Sequence, residues 1–93
     1  MNEDKLERDR NRGAQAEHLL RSELLQEAFK VLEDKYLQTL LQTELEQKDQ
    51  RDRLYLAVNV LRDVRNQLVA YFQSGRVAQV QIDRLADLQK RKK

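Results

Sequence analysis

Between residues 22 and 74 the sequence carries two apolar series at helical spacing, separated by a stretch that has almost none. The first is Leu24, Leu25, Ala28, Phe29, Leu32, Tyr36, Leu37, Leu40 and Leu41. The second is Leu54, Ala57, Val58, Leu61, Val64, Leu68, Val69 and Phe72. Steps of three and four place each series along one side of an α-helix. Between Leu41 and Leu54 the stripe thins to Leu45 alone, within Glu44-Leu45-Glu46-Gln47-Lys48-Asp49-Gln50-Arg51-Asp52-Arg53. One helix from 23 to 74 would need an unbroken stripe and a partner of equal length. The gap therefore predicts a turn within 43–50. The expected fold is all-α: an antiparallel hairpin of long helices at about 23–42 and 48–74, with short flanking helices.

Local signals set the expected boundaries. Ser22 is placed to cap the first long helix, because its hydroxyl can accept from a free N–H of the first turn, and Glu23 complements the helix dipole. Thr43-Glu44-Leu45-Glu46 fits a capping box in which Glu46 reaches back to the Thr43 N–H. Ser74-Gly75 follows Phe72, and a glycine there suits the left-handed residue just past a helix end. Val77, Ala78, Val80, Ile82, Leu85 and Leu88 suit a short final helix; residues 77–82 also alternate like a strand, but no second strand is visible to pair with them, so the helix is preferred. At the other end, residues 1–12 hold eight charged residues. They form a charged extension, either disordered or an exposed helix. Gly13 then acts as a break, and 14–21 form a short helix packed on the hairpin. The resulting organisation is a 1–12 extension, a helical domain over 13–88 and a basic tail over 89–93.

A chain of 93 residues makes one small domain at most. It has no cysteine, so neither disulfides nor thiolate metal sites can staple it. Scaffolds of this kind usually add a further helix or oligomerise. The width of the stripes points the same way. Leu32, Tyr36, Leu61, Leu68 and Phe72 are the expected hairpin core. One neighbouring helix does not cover Leu24, Leu37 and Leu41 as well, and Tyr55 and Tyr71 lie beside the second stripe. These five are the expected oligomer or partner interface. Arg65 falls on the apolar stripe between Leu61 and Leu68. Either it pairs with a carboxylate of the facing helix, Glu33 or Asp34, or it is a polar pin that fixes oligomer register.

Catalytic chemistry has no foothold in the pattern. His18 is the only histidine and has neither metal-ligand partners nor a nucleophile at useful spacing. The acidic residues are interleaved with Lys and Arg at helical steps, as in Glu17–Arg21 and Asp49–Arg53, which surface ion pairs explain. Gly-rich phosphate loops and EF-hands are absent. The expectation is a protein that is not an enzyme, with no cofactor, no metal and no small-molecule substrate. No apolar run reaches the ~20 residues of a membrane span, and the first residues lack the apolar core of a signal peptide. Charge is uneven. The chain carries +2 overall, yet Arg76 onward holds six basic and two acidic residues. Arg62, Arg76, Lys90, Arg91, Lys92 and Lys93 are the candidate nucleic-acid contacts.

Several stretches match a wider pattern. They are Gly13-Ala14-Gln15-Ala16-Glu17-His18-Leu19-Leu20, Leu24-Leu25-Gln26-Glu27-Ala28-Phe29, Thr43, Arg51-Asp52-Arg53-Leu54-Tyr55 and Gly75-Arg76-Val77-Ala78. Across residues 12–86 the chain resembles a family of short, helical, phage-encoded proteins. These share a Gly-x-x-Ala-x-x-Leu-Leu opening, Leu-Leu-Gln-Glu-Ala-Phe, and a Thr-centred linker leading to Arg-Glu-Lys-Leu-Trp. The chain departs from that pattern in having Tyr55 for Trp and no Pro after Thr43. The resemblance implies a tailed-phage or prophage origin, hence a place in the host cytoplasm or the virion. Three functions are then expected of such a chain. It self-associates in virion assembly or DNA packaging, acts as a nucleic-acid-binding small-terminase-like or regulatory protein, or inhibits a host protein by binding it.

Overall fold

A computed structural model of the protein describes residues 3–91. The described residues are 91% helical with no strand, so the protein is all-α. They form α1 (Glu3–Leu20), α2 (Glu23–Leu41) and α3 (Lys48–Arg91). These helices divide into two compact units. One joins α1 to α3 from Gln67 onward, and the other comprises Arg21–Asn66.

The breaks between helices have local chemical causes. Ser22 leaves the helical region at φ −68°, ψ 116°, and its Oγ accepts from the Leu25 N–H at 3.2 Å, as its position predicts. Thr43 does something other than expected. Its hydroxyl donates to the Leu40 carbonyl at 2.7 Å, and its N–H reaches the same oxygen at 3.2 Å, so it closes α2 instead of opening the next helix. Gln47, not Glu46, turns back across the loop. Its Oε1 accepts from the Glu44 N–H at 2.8 Å, while its own N–H donates to the Glu44 carbonyl at 3.0 Å. The Arg51 guanidinium holds the loop from inside α3, donating to the carbonyls of Glu44 at 3.3 Å and Leu45 at 3.4 Å. A turn without Gly or Pro is thus fixed by side chains that satisfy its free carbonyls.

Both outer boundaries differ from the expected ones. The charged stretch before Gly13 is part of α1, and Gly13 lies inside that helix instead of breaking it. Leu6, Gly13 and Ala16 are buried on α1, which gives the segment an apolar face among its charges. At the other end, Gly75 does not terminate a helix. α3 runs through it to Arg91, so the long helix does not stop at 74 and the flanking segments are not short separate helices. Among the described residues no glycine has positive φ.

Both glycines serve a close approach of two backbones. A Cβ on Gly13 would lie 2.6 Å from the Gly75 Cα and 2.9 Å from the Tyr71 carbonyl oxygen. A Cβ on Gly75 would lie 2.7 Å from the Gly13 Cα and 3.0 Å from the Asp9 carbonyl oxygen. Each glycine therefore faces the other and the carbonyl four residues before it. Only hydrogen fits between the helices here. Glycine inside a helix costs about 1 kcal/mol relative to alanine, and the same unit buries two further small residues, Ala16 and Ala78.

The core is smaller than the sequence suggests. Among the described residues the buried apolar side chains are Leu6, Ala16 and Ala78 in the first unit and Val58 in the second. Of the expected core, Tyr36, Leu61, Leu68 and Phe72 are half-buried, and Leu32 is exposed. Each unit packs helix against helix in a single layer, so most side chains at the contact keep one edge in water. Replacing Gly13 with Ala should lower stability by about 1–3 kcal/mol through overpacking against backbone that cannot rotate away. Urea denaturation followed by circular dichroism measures this. An unchanged midpoint would mean that the helices do not touch at Gly13.

Candidate helical interface

Within the second unit, α2 and α3 are joined by an ion cluster on Glu33. Arg62 Nη2 donates to Glu33 Oε1 at 3.0 Å, and Arg65 Nη1 lies 3.9 Å from Glu33 Oε2. The Arg65 guanidinium also stands over the Phe29 ring, 5.2 Å from its centroid. Of the two partners expected for Arg65, the structure selects Glu33. Arg65 can occupy an apolar stripe because its stem packs on neighbours while its charged plane meets both a carboxylate and an aromatic face. Arg62, a candidate nucleic-acid contact, likewise has its charge matched by Glu33.

Beside this cluster runs an open groove between α2 and α3. Phe29, Leu32 and Tyr36 line it from α2, and Arg53, Leu56, Ala57, Val60, Leu61 and Val64 from α3. Leu56, Val60 and Val64 recur every fourth residue and so form one ridge along the helix. They are 63%, 52% and 48% exposed. α3 therefore has more apolar surface than α2 covers. Val64 belongs to the main stripe expected from the sequence, whereas Leu56 and Val60 do not. Their i, i+4, i+8 series is present in the sequence, but it is overlaid by the denser 54–57–58–61 series beside it.

The expected interface residues are scattered. Leu24, Leu41 and Tyr55 are exposed, and Leu37 is half-buried, all in the second unit. Leu24 and Leu41 stand seventeen residues apart, about 100° around the helix axis, so α2 does not present them as one patch. Tyr71 belongs to the first unit, where it is half-buried with Arg12 over its ring at 5.2 Å.

The first unit holds the remaining candidate basic residues. Arg76 lies over the Phe72 ring at 5.3 Å. It borders a shallow groove at the Gly13–Gly75 crossing together with Arg10, Glu17 and Gln79. Glu17 within that groove counters its positive charge. Lys90 and Arg91 are exposed in the last turn of α3, where cations complement the helix dipole. Lys92 and Lys93 lie outside the described residues. Among the described residues no three His, Cys, Asp or Glu side chains cluster as metal ligands, and no helix is long and apolar enough to cross a membrane.

Comparison with protein families, curated proteins and solved structures finds no match for this chain.

The arrangement thus offers apolar helical surface flanked by charge. Glu33 is the residue on which its internal geometry turns. A double-mutant cycle of Glu33→Ala and Arg62→Ala should return a coupling of about 0.3–1 kcal/mol, since the pair is partly exposed. The coupling should shrink as salt rises. Additive losses across the cycle would remove the pair from the account of how α2 and α3 are joined.

Proposed function

We propose that this is a non-enzymatic helical protein that works by self-association, in the assembly of a phage particle or in DNA packaging. The observation that carries the reading is the mismatch between apolar surface and cover. Among the described residues α2 buries none of its side chains fully, and the ridge Leu56–Val60–Val64 on α3 stands half in water. Chains of this size gain the missing burial from another helix or another copy. In this reading residues 23–66 are an antiparallel hairpin. Phe29 meets Arg65 and the later Glu33 meets the earlier Arg62, as antiparallel neighbours do.

The phage assignment rests on the resemblance of residues 12–86 to the short phage-encoded helical family, and places the chain in the host cytoplasm or the virion. Lys5–Asp9 and Lys48–Asp52 are i, i+4 pairs of the kind that solubilise helices. Sedimentation velocity should show a mass that rises above the 11.1 kDa of one chain as concentration increases. A single monomeric species up to sub-millimolar concentration would overturn the reading.

A nucleic-acid-binding role is the second reading, favoured by the six basic residues from Arg76 onward and the exposure of Lys90 and Arg91. Truncation after Asp87 should then weaken binding to duplex DNA and flatten its dependence on salt, because fewer counterions are released. Equal binding by the truncated and full chains would remove the tail from that role.

A further inference from the structure

Four residues on α3 have a palindromic spacing. Arg53, Leu56, Val60 and Asp63 follow one another at steps of three, four and three. Reversing the helix about the level of residue 58 exchanges Arg53 with Asp63 and Leu56 with Val60. All four are exposed, and Arg53 borders the apolar groove. Among the described residues neither Arg53 nor Asp63 takes part in an ion pair.

We propose that a second copy of this chain docks α3 against α3 in antiparallel orientation across Leu56 and Val60, with Arg53 of each copy beside Asp63 of the other. This deepens the self-association reading and rests on it, by naming the surface and its symmetry. An isologous two-fold contact requires that each charge meet its opposite when the helix is reversed. The 3-4-3 series satisfies that requirement twice over, once at each end of the apolar pair. Leu32 and Tyr36 supply the other wall of the groove that receives the second α3. Two hairpins joined in this way place four helices in contact, which lets the half-covered ridges of both copies leave water. The ridge and its wall supply five apolar side chains per copy, Leu32, Tyr36, Leu56, Val60 and Val64, where a standard interface uses roughly 20–30 residues a side. The pairing is therefore weak and depends on concentration.

Charge exchange tests the geometry. Arg53→Glu sets two carboxylates against each other at both ends of the contact, and Asp63→Arg places two arginines together at both ends. Each single variant should weaken dimerisation roughly tenfold in sedimentation equilibrium. An equimolar mixture of the two variants should recover wild-type affinity as a heterodimer, and so should the double variant Arg53→Glu/Asp63→Arg. Far-ultraviolet circular dichroism checks that each variant is folded. Val60→Lys gives an independent arm, since it should abolish pairing while leaving Arg53 and Asp63 in place. If the wild-type chain dimerises but mixing restores nothing, the surface is wrong and self-association stands. If the wild-type chain is monomeric throughout, both fail.

Discussion

Where α1 crosses α3, two helix backbones meet with only the hydrogens of Gly13 and Gly75 between them. The first unit depends on that approach. Leu6, Ala16 and Ala78 are the buried apolar side chains of that unit among the described residues, and the two alanines are too small to hold helices apart at the usual 8–10 Å spacing. Small side chains let the helices come closer, so van der Waals contact between backbones takes over part of the work that large side chains do elsewhere. The same contact explains why two glycines that weaken helix propensity sit within helices instead of at their ends.

The second unit solves the packing problem differently. Its one buried apolar side chain among the described residues is Val58, and its largest contacts are half-exposed aromatics and leucines. Charge supplies the specificity that a thin core lacks. Glu33 receives two arginines from α3, and Phe29 receives the face of one of them. At partial exposure such contacts are individually small. They nevertheless fix which residues face each other, because a slip along α3 would separate Glu33 from both Arg62 and Arg65. The Leu56–Val60–Val64 ridge is what this arrangement leaves uncovered, and the proposed function follows from that surplus.

Much of the local structure is legible in the sequence. The spacing of Leu24 to Leu41 and of Leu54 to Phe72 identifies helices, and the thinning around Leu45 locates the turn. Ser22 is readable as a cap because its hydroxyl stands directly before an apolar helical series, where the free N–H groups of the first turn lie within reach, and the Leu25 N–H donates to it. Thr43 reads wrongly as an opening cap because its hydroxyl can either accept from a following N–H or donate to a preceding carbonyl. Only the closed geometry of residues 40–47 chooses between them. Arg65 is legible as an arginine in need of a partner. Choosing Glu33 over Asp34 requires the rotation of α2 about its own axis.

Gly13 and Gly75 mark the division between the two sources of information. A glycine in a sequence signals freedom of backbone or absence of a side chain, and the two look alike until a neighbour is known. Read alone, both glycines fall at helix ends, as freedom of backbone suggests. The neighbour is another helix, so the absence of a Cβ is what matters, and both helices run on. By itself the sequence determined helical periodicity, the turn after α2 and the charge pattern, because these depend on residues a few positions apart. Tertiary structure decided which apolar residues remain in water. Exposure depends on how wide an arc a partner helix covers, and that arc is set by side chains far away in the chain.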